Sequence, residues 1–229
     1  YHAMPDLTNG QDPVNAIYGF FGMLFTILQD QKPEYLAVCF DRSKPTIRQS
    51  MYAGYHAHRP PMADTLSAQV AKLDSLLESM KVALFSLDGY EGDDLIGTIA
   101  TRVVRDQKDA EVVVVTGDRD MLQLVNPRVK VLMPLVGISK TALFDEAAVE
   151  DKYGVKSSQF IDYKALIGDQ SDGYPGVTGI GPKTAAGLLR QYGTFENLYQ
   201  SIPQLPEKIG VKLATDAEQA ALAKKLATI

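Results

Sequence analysis

Eight carboxylates stand where short apolar runs give way to turns or helix starts: Asp41, Glu91, Asp93, Asp94, Asp118, Asp120, Asp169 and Asp172. A lone acid at a strand end is ordinarily a turn or cap residue, and acids favour helix N-termini through capping and the macrodipole. Glu91, Asp93 and Asp94 crowd one helix start more densely than capping requires, and a divalent cation would relieve their repulsion. The Asp118-x-Asp120 spacing lets both side chains approach one hard cation through oxygen.

Asp169 and Asp172 open the stretch Gly168-Asp-Gln-Ser-Asp-Gly-Tyr-Pro-Gly-Val-Thr-Gly-Ile-Gly-Pro-Lys-Thr184. Gly179 and Gly181 allow positive φ and close backbone approach, and Pro182 suits the first turn of a helix whose free N–H groups attract an anion. Lys183 adds positive charge. The turn lacks the Gly-Lys-Ser/Thr ending of a P-loop and follows no strand, which favours a nucleic-acid backbone over a nucleotide. The alternative is that the glycines only end one helix and begin the next.

The periodicity predicts the elements that must position these groups. Helices are expected over Val14–Leu28, Ala63–Met80 and from Asp94 onward. Strands are expected at Tyr35–Phe40, Val82–Leu87, Glu111–Val115 and Val129–Met133, with Glu111–Val115 as a central parallel strand covered on both faces. Met121, Leu122 and Leu124 should begin a returning helix. Beyond Met133 the chain reads as helical: Asp145–Tyr153, Ser157–Ile167 and Pro182–Tyr192 each run to a glycine, and Thr194 caps a further helix through Tyr199. Open parallel sheets bind ligands outside the carboxyl ends of their strands, where Asp41, Asp118 and Asp120 fall. Tyr1–Pro13 has loop composition.

Between Arg42 and Met62, basic residues interleave with Tyr52 and Tyr55 and little apolar periodicity remains. That mixture suits a surface tracking a single strand, though a solvated loop has the same composition. The 229 residues are 45% hydrophobic and carry a formal net charge of −5, which excludes a uniformly basic DNA-binding surface but not acids gathered in one pocket. No run suits a bilayer span or an export signal, so a cytoplasmic location is expected. The single cysteine, Cys39, lies in a strand-like run, where packing explains it better than nucleophilic chemistry.

Taken together, Phe40-Asp41, Gly89–Asp94, Thr116–Leu124 and Gly168–Thr184 resemble the 5′-nuclease domains of bacterial DNA polymerases I, within the flap endonuclease family. The resemblance covers essentially the whole chain. It implies a three-layer PIN-like α/β/α core with a mostly parallel sheet over residues 1–144, including a helical arch at about 42–65. A helical lobe over 145–229 would carry a helix-hairpin-helix motif at about 168–192. It further implies metal-dependent hydrolysis of DNA phosphodiesters at 5′ ends and 5′ flaps, by a monomer that is either a free nuclease or covalently linked to a polymerase region in the full-length protein. Asp41, Glu91, Asp93, Asp94, Asp118 and Asp120 would form a first metal cluster, and Asp169 and Asp172 would serve a second. Carboxylates suit Mg²⁺ or Mn²⁺ in two or more sites, and a potassium ion is implied at the hairpin. Asp41, Asp118, Asp169, His56 and Arg59 would carry the catalysis. Arg48, Tyr55, His56 and Arg59 would contact the threaded strand, while Gly179, Gly181, Lys183 and Thr184 would grip duplex phosphates without reading sequence.

Two features depart from the family. It begins with a strand ending in Asp-Gly, whose aspartate is a metal ligand, whereas this chain starts at Tyr1-His-Ala-Met-Pro5, so that ligand is expected to precede it in the full protein. His56 stands where the family places a lysine acting on the scissile phosphate; an ordinary imidazole, with a pKa near ~6.5, is mostly neutral at neutral pH. Two other functions fit parts of the pattern. A flap-binding module without turnover would keep the DNA contacts, and a haloacid dehalogenase-like phosphatase would share the last acidic motif, but it also needs Asp-x-Asp-x-Thr, which Asp41-Arg42-Ser43 does not supply.

Overall fold

The computed structural model describes residues 7–136 and 140–229, so the first six residues of the expected Tyr1–Pro13 loop lie outside it. In chain order the elements are β1 (Thr8–Asn9), β2 (Asp12–Pro13), α1 (Asn15–Gln31), β3 (Ala37–Cys39), α2 (Ile47–Met51), α3 (Asp64–Ser79), β4 (Ala83–Phe85), α4 (Gly92–Asp106) and β5 (Val112–Val115). After a 3₁₀ turn at Asp120–Leu124 come β6 (Val129–Val136), β7 (Lys140–Phe144), α5 (Glu146–Tyr153), a 3₁₀ turn at Ser157–Gln159 and α6 (Phe160–Ile167). The two-residue strands β8 (Gly168–Asp169) and β9 (Tyr174–Pro175) precede α7 (Pro182–Tyr192), α8 (Phe195–Gln200), α9 (Glu207–Thr215) and α10 (Ala217–Ala227).

The described residues form two compact units: one of residues 7–44, 59–95, 134–136 and 140–142, the other of 45–58, 96–133 and 143–229. In the first, β3 and β4 pair in parallel, Ala37 opposite Ala83 and Cys39 opposite Phe85. Leu24 of α1 and Leu73 and Leu77 of α3 bury their side chains with Val38 and Leu84, the outcome expected of amphipathic helices on a sheet. Gln69 is buried among them yet satisfied, accepting from Ala16 N (2.8 Å) and donating to Asn15 Oδ1 (3.1 Å). It ties α3 to the start of α1.

In the second unit β5 pairs with β6 in parallel, Val112 opposite Val129 and Val115 opposite Leu132. Among the described residues β5 ends the strand order β5–β6–β7, and only Val114 of its four valines is buried, so it is not the central strand expected. An apolar run does not report how many neighbours a strand has. The returning helix expected after Asp120 is only the 3₁₀ turn. Asn126-Pro127 follows, and a residue before proline is disfavoured in the α region. Strand β7 falls in a stretch the sequence presented as helical.

The helical remainder forms as expected. Asp145 caps α5 through Ala148 N and Thr194 caps α8 through Asn197 N, while Gly154 and Gly193 adopt positive φ just past α5 and α7. Phe160, Leu166, Leu189, Leu198 and Leu213 are fully buried here and make α6 the central helix, with α7 and α10 packed on it. No helix among the described residues is long and apolar enough to cross a membrane.

Candidate active site

Helix α6 stops at Gly168, whose φ of +73° the left-handed region favours for glycine. The chain returns at once: Gly168 pairs with Pro175 and Asp169 with Tyr174, so closely that a Cβ on Gly168 would lie 2.7 Å from the Pro175 carbonyl carbon. Within this tight turn Asp169 Oδ1 accepts from Ser171 N (2.6 Å), Ser171 Oγ (2.5 Å) and, more loosely, Asp172 N (3.3 Å). The turn thereby fixes both acids.

Asp120 joins them from the 3₁₀ turn after β5. One carboxylate oxygen from each of Asp120, Asp169 and Asp172 lies within 4.8 Å of the other two, and Asp120 and Asp172 are buried. The resemblance assigned Asp120 to a different cluster from Asp169 and Asp172, yet these three meet. Asp118 stands beside the group, its Oδ1 accepting from Asp120 N at 2.7 Å.

Lys164 of α6 enters the same group, a residue the sequence reading passed over. Its Nζ lies 2.5 Å from Asp120 Oδ1 and also pairs with Asp169 Oδ2. Burial pushes the Asp120 carboxyl up to about 7 against the pull of Lys164, and the charges of Asp118 and Asp172 push the same way. Burial also raises Asp169, but donors on Lys164 and Ser171 outweigh it and hold that carboxyl below the usual range. Burial alone would lower Lys164; Asp120 and Asp169 hold its ammonium above its ordinary value. The available sequence signal was a lysine among Tyr163, Ala165, Leu166 and Ile167, five residues before Asp169.

His56 reaches the group from the segment after α2. Thr46 starts that helix with a capping box closed by Gln49, and the chain then turns through Gly54 into Tyr55. His56 has a φ of +56°; its N–H donates to Asp172 O at 2.8 Å and its Nε2 lies 3.1 Å from Asp172 Oδ1. Its ring stacks on Tyr55 with centroids 4.0 Å apart, and Tyr55 stacks in turn on Tyr174.

Two residues expected to contact a strand are placed elsewhere. Tyr55 is buried in a cluster with Tyr174, Ala223 and Leu226. Arg48 is buried too, with Nε donating to Leu226 O at 2.8 Å and Nη2 to Thr228 O at 2.5 Å. Four terminal carbonyls of a helix lack intrahelical donors, and α10 draws on Arg48 for its own. Arg59 is exposed.

In the first unit, Asp41 follows β3 and its Oδ1 accepts from Gly92 N at 2.6 Å, bringing it to the first turn of α4. A Cβ on Gly92 would meet that oxygen at 3.3 Å. Asp94 Oδ2 accepts from Glu91 N at 2.9 Å, and Asp93 shares the first turn. Burial raises the Cys39 thiol and the charge of Asp93 adds to it, which suits a packing cysteine rather than a nucleophile.

After β9 the chain builds the expected hairpin. Val177 N donates to Leu166 O, and Ile180 N to Val177 O. Gly179 has a φ of +73°, Gly181 is the N-cap of α7 and Pro182 its first residue. Lys183 is exposed at the helix start and Thr184 half-buried. Helices α9 and α10, which the sequence reading did not define, brace the turn: Asp216 Oδ2 accepts from Thr178 N at 2.7 Å and Lys212 Nζ donates to Gly179 O at 2.8 Å. A potassium ion fits this turn poorly, because the carbonyl of Gly179 already faces an ammonium.

Residues 1–154 match the family model of the 5′-3′ exonuclease N-terminal resolvase-like domain, and residues 155–229 that of the 5′-3′ exonuclease C-terminal SAM fold. The chain belongs to the 5′-3′ exonuclease family. Among relatives of this exonuclease-family chain, DNA polymerase I of Caldicellulosiruptor bescii is 40% identical over 100% of the chain and 27% of the relative. DNA polymerase I of Bacillus caldotenax is 42% identical over 100% of the chain and 26% of the relative. The chain thus spans about a quarter of the length of these relatives. A T5 5′-exonuclease variant superposes with a TM-score of 0.77 at 20% identity, covering 93% of this chain and 80% of its own. The catalytic core of Rad2 in complex with DNA substrate superposes at 0.61 and 15% identity, covering 99% and 74%. These structures establish the fold: the resolvase-like, PIN-type α/β core with a helical C-terminal region that the resemblance implied.

Proposed function

We propose that this chain is a divalent-metal-dependent 5′-nuclease that hydrolyses DNA phosphodiesters at 5′ ends and 5′ flaps. The observation that carries the reading is the convergence of Asp120, Asp169 and Asp172 within 4.8 Å, one turn of chain before a glycine hairpin that opens a helix. Oxygen ligands alone, from three converging carboxylates, suit Mg²⁺ or Mn²⁺. Asp120, Asp169 and Asp172 would hold such an ion, which would supply water activation and charge neutralisation at the scissile phosphate. In this reading Asp118 joins these three acids, and Asp41, Glu91, Asp93 and Asp94 of the first unit are further metal ligands.

The chain's own residues position the substrate. The turn from Gly179 to Gly181 and the first N–H groups of α7, with Lys183 and Thr184, hold duplex phosphates without reading bases. Because Val177 is tied to Leu166 and Asp169 to Tyr174, that grip lies at a set separation from Asp169 and Asp172 and selects which phosphodiester reaches them. His56 orients Asp172 through its Nε2, and exposed Arg59 serves the single strand. Potassium has no place in this reading, since Lys212 supplies the hairpin's cation.

We divide the chain at 144/145 into a nuclease core and a helical lobe; the two family models favour a two-part chain but meet at 154/155. A covalent polymerase region beyond this chain is supported by its relatives, which are named DNA polymerase I. We place the protein in the cytoplasm as a monomer.

The test is a 5′-flap duplex incubated with the full-length protein in Mg²⁺, Mn²⁺ or EDTA, alongside Asp169→Asn. Cleavage that needs metal and is lost in the variant supports the reading. Tight flap binding without cleavage in any metal overturns it and leaves a DNA-binding module.

A further inference from the structure

The nuclease reading gives no task to the buried ammonium in its midst. Lys164 is only 7% exposed, and its Nζ stands between Asp120 Oδ1 and Asp169 Oδ2, two of the three carboxylates that converge. The third, Asp172, is served by His56. Every acid of the group therefore has a protein cation or donor against it. Hard divalent ions bind carboxylate oxygen at about 2.0–2.6 Å, so an ammonium 2.5 Å from Asp120 Oδ1 and paired with Asp169 Oδ2 competes with a metal ion for the same two carboxylates.

We infer that Lys164 is a tethered counter-ion that assembles Asp120 and Asp169 before metal binds and withdraws from them when a divalent cation binds. The inference rests on the metal-site reading above. Three carboxylates so close would otherwise repel one another in a site with little water, and a charge on a flexible four-carbon stem neutralises them yet can swing away. Lys164 is a positioning residue here. Its effect is to keep the acids in place without metal and to weaken metal affinity until the ammonium has moved.

Full-length wild type, Lys164→Met and Lys164→Arg are titrated with Mn²⁺ by calorimetry and electron paramagnetic resonance, and melted with and without Mn²⁺. Removing the competing charge should tighten Mn²⁺ binding in Lys164→Met by about tenfold or more, with Lys164→Arg staying near wild type. Metal-free Lys164→Met should melt below wild type and recover with Mn²⁺. A folded Lys164→Met that binds Mn²⁺ no more tightly than wild type overturns the inference. Absence of Mn²⁺ binding in all three proteins overturns the metal-site reading itself. If Lys164→Met folds under neither condition, amine acylation of wild type mapped by mass spectrometry decides. Lys164 gaining reactivity with Mn²⁺ supports the inference, and unchanged reactivity overturns it.

Discussion

The guanidinium of Arg48 closes the C-terminal end of α10, donating from Nε to Leu226 O at 2.8 Å and from Nη2 to Thr228 O at 2.5 Å. A cation at a helix C-terminus gains from both the macrodipole and the unpaired carbonyls, and this one is buried. Hydrogen bonds to a charged group are worth about 1.5–3 kcal/mol, so Arg48→Met should destabilise the protein by roughly 2 kcal/mol. Urea unfolding measures it. Unchanged stability with weakened flap binding would instead return Arg48 to the DNA.

The hairpin turn should loosen in acid. Thr178 N–H donates to the Asp216 carboxylate, and this bond holds the Asp216 carboxyl below its usual range. A carboxyl depressed in the folded state contributes stability above its unfolded pKa of about 3.9 and loses it as pH falls through the folded value. Thr178 amide protection should therefore hold from neutrality to about pH 4 and decline below it. Asp216→Asn should abolish that acid step; an identical decline in the variant would show that another group is responsible.

Lys212 predicts how the hairpin responds to monovalent ions. With its ammonium on Gly179 O, wild type should bind a 5′-flap duplex equally well in Na⁺ and K⁺ at one ionic strength. Lys212→Met frees that carbonyl and should weaken binding several-fold, with K⁺ restoring more than Na⁺. A strong preference of wild type itself for K⁺ would show that the ammonium does not fill the site.

Much of the site was legible because its signals are local. Gly168, Gly179 and Pro182 mark a turn, and acids at strand ends or helix starts announce themselves by type and spacing. What escaped was long-range. Nothing near Arg48 in sequence discloses that it will serve carbonyls 178 and 180 residues away, and within the Arg42–Met62 stretch it looked like one more exposed cation. Lys164 was hidden for the converse reason: an apolar neighbourhood reads as core, and only the meeting of α6 with the 3₁₀ turn at Asp120 gives its charge a partner. The 3₁₀ turn in place of a helix was foreseeable from Asn126-Pro127, whereas β7 owes its strand state to pairing that periodicity does not encode.

Gly173 decides whether the His56 segment can sit on Asp172. Its φ is +81°, and a Cβ there would lie 2.7 Å from Gly54 O and 3.0 Å from the His58 ring. The His58 side chain can turn aside, but the Gly54 carbonyl is backbone and can yield only if the chain from Gly54 to His56 moves. That movement would break the His56 N–H bond to Asp172 O and the Nε2 contact with Asp172 Oδ1. Gly193 provides the comparison, for it has the same φ of +81° with nothing within 4 Å of a Cβ. Gly193→Ala should therefore cost only the penalty of a sparsely populated backbone conformation, about 1–3 kcal/mol. Gly173→Ala adds overpacking against backbone, a further 1–3 kcal/mol or so, and should strip hydrogen-exchange protection from the His56 amide while Gly193→Ala leaves it intact. Equal losses of stability in the two variants, with His56 still protected in both, would mean that the Gly54 segment yields without leaving Asp172.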